Sequence, residues 1–221
     1  MITDRQTKIL QEARDFAYAE LKDETSGHDW WHIVRVTNIA VEIAKQERAD
    51  VFICELAALL HDIADGKLNE SEEVGLQKVE QWLQNHQASE AEIAHVLEIV
   101  STMSFKGDYQ QKNISTLEGK IVQDADRLDA IGAIGIARAM AYSGHIGRPI
   151  HDPDLQPREN MTLEEYRTGK SSAIMHFYEK LLKLKDMMNT AAAQKMAESR
   201  HRFLEEYLDQ FYAEWNAKSD K

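Results

Sequence analysis

The chain has little of the chemistry that staples, anchors or interrupts a fold. One residue of 221 is cysteine, Cys54 in the apolar run ICELAALL, so no internal disulfide is available. A lone thiol in such a run packs as a small hydrophobe and fits a reducing compartment. Only three prolines occur, Pro149, Pro153 and Pro157, all in one stretch, so nothing of that kind breaks helices elsewhere. No apolar run approaches the roughly 20 residues of a membrane-crossing helix. The opening MITDRQTKIL lacks the charged-then-apolar layout of a secretory signal. Basic charge is in deficit, with 26 Lys and Arg against 38 Asp and Glu and a net charge of −12. A polymeric nucleic acid partner usually shows as a basic excess, so none is expected. A small phosphorylated ligand stays compatible, because one metal ion and a few cations reverse the field locally. The expectation is a cytoplasmic protein with neither a membrane nor a polymeric nucleic acid as partner.

What the sequence does have is helical periodicity. Apolar stripes predict helices over Asp4 to Lys22, Trp30 to Gln46, Val51 to Ile63, Ser71 to Asn85 and Glu90 to Thr102. They continue over one long segment from Leu117 to Tyr142, then Leu163 to Met188 and Ala191 to Trp215. DETSGHD and SFKGDYQQKN read as loops, and Gly144 to Asn160 as a long loop marked by all three prolines. The helix after Val51 is apolar on nearly every side, which marks it as buried. No alternating strand pattern, internal repeat or interdomain linker occurs. The fold class predicted is all-α, one domain over residues 1–221.

Charges seldom sit inside apolar helices without compensation. Two segments break that expectation. ALLHDIADG puts His61 and Asp62 at the end of the buried helix, and KIVQDADRLDAIGAIGIA carries Asp124, Asp126, Arg127 and Asp129 between apolar neighbours. Three His-Asp dipeptides occur, and context separates them. In His28-Asp29 the aspartate suits a helix N-cap. His151-Asp152 precedes Pro153 in the long loop. Only His61-Asp62 ends a buried helix, where two adjacent side chains can reach one ion.

His32 in WHIVRV, His61-Asp62 in LLHDIAD and Asp126 in QDADRLDAIG, in that order, resemble the motif of the HD-domain metal-dependent phosphohydrolase superfamily. The motif core covers about residues 28–142, with a C-terminal helical extension over about 161–216. GRPIHDP and HFYEKLLKLKDMMNT are similar to segments of a bacterial subgroup that hydrolyses nucleotides. The resemblance implies an HD-domain-like helical bundle with additional C-terminal helices. It assigns His32, His61, Asp62 and Asp126 as ligands of one divalent metal ion. The mixed N/O donors suit Mn²⁺, Zn²⁺, Fe²⁺, Ni²⁺ or, less well, Mg²⁺, and Mn²⁺ is the ion expected. Read singly, His32 is equally a satisfied helix histidine and Asp126 an ion-paired core carboxylate.

Other residues carry two readings each. Asp65, three residues after Asp62, can act on the attacking water or be a solvated helix-end carboxylate. His28, four residues before His32, can donate a proton or contact phosphate, or be a bland loop histidine. Lys67 can hold a phosphate or be an exposed lysine. His145, Arg148, His176 and Lys180 can contact a polyphosphate or serve solvated and structural roles. Asp129 can accept the ring N–H of a ligating histidine, while Arg127 can pair with Asp124. Trp30, Trp31, Phe105 and Tyr142 can stack a base or fill the core. His86 and His95 raise a second metal, but the motifs that would accompany one are missing.

The expected activity is hydrolysis of a small phosphorylated substrate, a nucleotide first, in the manner of a nucleoside triphosphate pyrophosphohydrolase. The alternatives are a phosphomonoesterase or cyclic phosphodiesterase with the same site, or a non-catalytic nucleotide-binding sensor. The sequence leaves the oligomeric state open.

Overall fold

The computed structural model describes residues 2–24, 29–65, 68–103, 114–158 and 169–217. Among them every regular element is helical, as the periodicity predicts. None of these helices is long and apolar enough to cross a membrane. The chain divides into two compact units, Met1–Asp126 and Arg127–Lys221.

The first unit is built around α3 (Val51–Leu60), buried over Phe52, Ile53, Cys54 and Leu56 through Leu60. Full burial of each large aliphatic side chain there stabilises the fold by roughly 1.5–3 kcal/mol. Around it pack α1 (Asp4–Leu21), α2 (Trp30–Glu47) and α5 (Glu90–Met103). Each start is fixed by a polar cap. Thr3 and Gln6 form a reciprocal capping box at α1, Asp29 accepts from the His32 N–H at α2, and Asp50 accepts from Phe52 and Ile53 at α3. Ser71 caps α4 (Glu72–Asn85), which lies against α5 and the turn after α3.

That turn departs from expectation. The helix predicted to run to Ile63 ends at Leu60, and His61–Ala64 tighten into a 3-10 turn. Helix C-termini commonly tighten this way to satisfy their last carbonyls.

The long segment predicted from Leu117 to Tyr142 is two helices, α6 (Leu117–Asp129) and α7 (Gly132–His145). The first unit ends within α6, at Asp126. The break comes from glycine geometry. Gly132 has φ +75°, a left-handed conformation that side chains resist. At Gly135 an added Cβ would stand 2.2 Å from the Ala130 carbonyl oxygen, so only glycine lets the chain turn so tightly there.

The second unit continues with α8 (Ala173–Glu179), a 3-10 helix (Leu181–Met187) and α9 (Ala191–Trp215). The helix predicted from Leu163 starts outside the described residues. Beyond Ser172 its remainder is divided into α8 and the 3-10 helix, parted at Lys180 with φ −138° and ψ −58°. The proline-marked stretch is tied to α8. Carbonyls of Pro149 and Ile150 accept from Ala173 and Ile174, both at 2.9 Å. Glu179, 7% exposed, accepts from Nε of Arg158 at 2.8 Å, its Nη2 at 3.1 Å and the Ser171 hydroxyl at 3.2 Å.

Candidate metal centre

Three elements of the first unit each deliver a side chain to one place. Asp29 accepts from the backbone N–H of His32 at 2.7 Å and so places His32 in the first turn of α2, where it is 1% exposed. The 3-10 turn after α3 presents His61 and Asp62, both buried. Asp126 comes from α6, with its side chain 41% exposed.

The donor atoms of His32, His61 and Asp126 lie within 4.8 Å of one another. Ligands at about 2.0–2.2 Å on opposite sides of one ion stand roughly 4–4.4 Å apart, so this spacing suits a shared ion. Nε2 of His32 is 3.4 Å from Oδ1 of Asp126 and 3.4 Å from Oδ2 of Asp62. Oδ1 of Asp62 is also 3.4 Å from Nε2 of His61, so Asp62 spans the two imidazoles at the edge of the cluster. The two rings meet edge to face, 5.5 Å between centroids.

The His61 ring shows which nitrogen faces the cluster. Its Nδ1 lies 2.8 Å from the Ala58 carbonyl, which accepts a hydrogen bond when that nitrogen carries the proton. Nε2 is then the lone-pair donor. It is buried and makes no hydrogen bond among the described residues. Leaving a buried polar atom so placed is costly unless something else binds it. Two imidazoles and two carboxylates, with one such nitrogen, fit a divalent cation.

Behind the cluster the turn is held by its own backbone and by Asn69. The Asp65 N–H donates to the Asp62 carbonyl at 3.0 Å, and the Asp65 carbonyl accepts from Leu68 at 2.9 Å. The carboxamide of Asn69 donates to the carbonyls of Ile63 at 2.8 Å and Asp65 at 2.9 Å. Asp65 is half-buried directly beyond the turn. Asn69 carries no motif signal; its place depends on how α4 folds back, which periodicity does not show.

The remaining predicted residues fall elsewhere. His28 and Lys67 lie outside the described residues. In the second unit, His176 has its pKa pushed down to about 3, by burial first and then by the charges of Lys180 and Arg148. Those three therefore share one electrostatic neighbourhood, with His176 neutral. His145, at the end of α7, is exposed. The Asp129 carboxylate accepts from Arg138 at 2.7 Å, and Arg127 donates to the Met187 carbonyl. Trp31 is 65% exposed and Tyr142 48%, whereas Trp30 packs edge-on to Tyr18. Of the two further histidines, His86 stacks on Trp82 at 4.0 Å, and Nε2 of His95 sits 3.6 Å from Glu118.

Comparison with known proteins gives the family. The HD domain family's sequence model matches residues 30–131, which contain all four clustered residues. The chain is 39% identical over 208 residues to the Bacillus subtilis (strain 168) protein YpgQ, covering 93% of each. A crystal structure of an HD-superfamily hydrolase from Bacillus thuringiensis is 47% identical, with a TM-score of 0.79 over 96% of this chain and 100% of that one. The crystal structure of B. subtilis YpgQ in complex with ADP is 37% identical, with a TM-score of 0.78 over 95% and 96%.

Proposed function

The chain belongs to the HD-domain family, and on that premise we propose that it is a metal-dependent phosphohydrolase acting on a small nucleotide, of the nucleoside triphosphate pyrophosphohydrolase type. One observation carries the reading: histidine and aspartate donors from α2, the 3-10 turn and α6 converge within 4.8 Å, one of them a buried imidazole nitrogen with no hydrogen bond. His32, His61, Asp62 and Asp126 would hold one divalent ion, with Mn²⁺ the first candidate and Zn²⁺, Fe²⁺ and Ni²⁺ equally compatible with mixed N/O donors. When bound, such an ion supplies Lewis acidity toward a phosphoryl oxygen and makes water a stronger acid.

The chain's own residues do the rest. His32 and His61 are nearly fully buried, while Asp126 keeps part of its side chain exposed to solvent. Asp65 accepts the proton of the attacking water. Its backbone is held at N–H and carbonyl, so the side chain starts from a fixed point. The water oxygen bonds to the α-phosphorus, the bridging P–O bond breaks, and pyrophosphate leaves with the electron pair. His28 is a second candidate for the proton, and Lys67 for phosphate. His145, Arg148, His176 and Lys180, all in the second unit, stay separate candidates for phosphate contact. The nucleotide class is supported by ADP in the structure of YpgQ.

The test is a panel of nucleoside tri-, di- and monophosphates and cyclic nucleotides with Mn²⁺, assayed separately for phosphate and pyrophosphate. Pyrophosphate from triphosphates is expected. Phosphate from monophosphates would reassign the chain as a phosphomonoesterase, and opening of cyclic nucleotides as a cyclic phosphodiesterase. Binding without turnover would leave a sensor.

A further inference from the structure

We propose that Asn69 is a positioning residue for the metal-binding turn, bridging two backbone carbonyls and clamped in place over Gly75. The inference rests on the metal-dependent reading above. A 3-10 turn leaves its last carbonyls without partners inside the helix. In His61–Ala64 and the residue after it, two of these are supplied from one side chain. The Asn69 carboxamide nitrogen has two N–H donors, and the Ile63 and Asp65 carbonyls take them at 2.8 and 2.9 Å. The acceptors flank Ala64. Rotation of the backbone between Asp62 and Asp65 therefore breaks at least one of these bonds or the 3.0 Å bond from the Asp65 N–H to the Asp62 carbonyl. The Cα–Cβ directions of both aspartates are set by this bracket.

Gly75 explains why the bracket is rigid. It lies in the first turn of α4, its N–H donating to the Ser71 carbonyl at 3.1 Å. A Cβ there would stand 2.7 Å from Ala64 Cα, 2.7 Å from its carbonyl oxygen and 2.8 Å from the Asn69 amide nitrogen. Two of those atoms are backbone and cannot swing aside. The missing side chain thus lets α4 press on the turn and on the amide together. The chemistry also requires an amide. A carboxylate of the same shape would aim oxygen at two carbonyl oxygens and repel both.

The experiment uses the full chain with Asn69→Ala, Asn69→Asp and Gly75→Ala, each studied well below its own melting temperature. Mn²⁺ affinity is measured by titration calorimetry, and kcat and KM on the best triphosphate of the panel. Residues that orient metal ligands typically contribute 10–100-fold to metal affinity or activity. Asn69→Ala is expected to weaken Mn²⁺ binding about tenfold and lower kcat by about 10–100-fold, with KM changed less than about threefold. Asn69→Asp should be worse than Ala. Asn69→Ala combined with Gly75→Ala should be little worse than the poorer single variant, because both act on one turn. Variants that melt earlier yet keep Mn²⁺ affinity and kcat within about twofold of wild type would overturn the proposal and leave Asn69 a purely stabilising residue. If Gly75→Ala does not fold, the two Asn69 variants decide. A wild type that binds Mn²⁺ without turnover defeats the functional reading alone, and the affinity ratio still judges Asn69. A wild type that binds no Mn²⁺ defeats both.

Discussion

Nε2 of His32 lies 3.4 Å from Oδ1 of Asp126, although α3, α4 and α5 come between α2 and α6 along the chain. Neither residue has a local reason to meet the other. The contact exists because α2 and α6 deliver their polar groups to one cluster, where the part-exposed Asp126 offsets the burial of His32. A cation between them and His61 would offset more.

Removing a ligand should therefore remove the ion. His61→Ala and Asp126→Ala are expected to lose turnover and Mn²⁺ binding together. Saturating Mn²⁺ should raise the melting temperature of wild type, since a ligand at 100 times its Kd adds about 2.7 kcal/mol of stability, and should leave both variants unmoved. Elemental analysis after reconstitution should find one equivalent per wild-type chain. Two equivalents, or a variant that still shows the thermal shift, would refute the assignment.

Much of this was legible in the sequence for stated reasons. α1, α2 and α9 begin where their caps and stripes put them, because capping and amphipathic period are local properties. The His61-Asp62 pair is legible because it ends an otherwise apolar helix, whereas His32 and Asp126 are singled out only by the resemblance to the HD-domain motif. The break between α6 and α7 was not, because Ala, Ile and Gly continue the helical composition and only the left-handed Gly132 ends it. Asn69 and Gly75 were not either. Their roles come from α4 packing on the 3-10 turn, a tertiary event with no signature in spacing. The acceptor for the His61 ring is a backbone carbonyl, that of Ala58, which no residue type announces.

Cys54 should be inert in the folded protein. Burial first, then the charges of Glu118 and Asp50, push its thiol well above the ordinary range, so little thiolate forms at neutral or mildly alkaline pH. Ellman's reagent at pH 8 should label the native chain very slowly and reach one equivalent promptly in guanidinium chloride. Fast labelling of the native protein would show that α3 opens locally.

The Arg5–Glu92 pair ties α1 to α5 and should stabilise the first unit in a pH-dependent way. The Arg5 guanidinium, 2.6 Å away, holds the Glu92 carboxyl down to about 2 against the upward push of its own partial burial, helped by Ser89 and Gln6. In the unfolded chain the group titrates near about 4.3. A depressed folded value means the contribution is fully present above the unfolded pKa and is lost as pH falls through the folded one. Urea midpoints of wild type and Glu92→Gln should differ at pH 7 and converge between about pH 5 and pH 2. A constant difference across that window would show that the pair adds nothing through its charge.

Asp65 separates mechanism from metal binding. It comes directly after the turn that carries Asp62, and its N–H and carbonyl are both engaged, so its Cβ is fixed while its carboxylate stays partly accessible. On the proposed mechanism it acts on the reacting water without ligating the ion. General bases typically contribute about 10²–10⁴-fold to a rate. Asp65→Asn keeps the shape and removes the basicity, so kcat should fall within that range while Mn²⁺ stoichiometry and the metal-induced thermal shift stay as in wild type. The loss should appear in kcat and kcat/KM alike, because the interaction is made only in the transition state. A carboxylate that merely ends the turn would behave differently. Its replacement would change turnover less than about threefold, the scale of ordinary surface substitutions, and the base role would pass to His28, the first alternative, or the ion alone would ionise the water. Asp65→Asn and His28→Gln assayed side by side distinguish the alternatives, since only loss of the residue that takes the proton should lower kcat by the factor expected of a general base, and neither should if the ion acts alone.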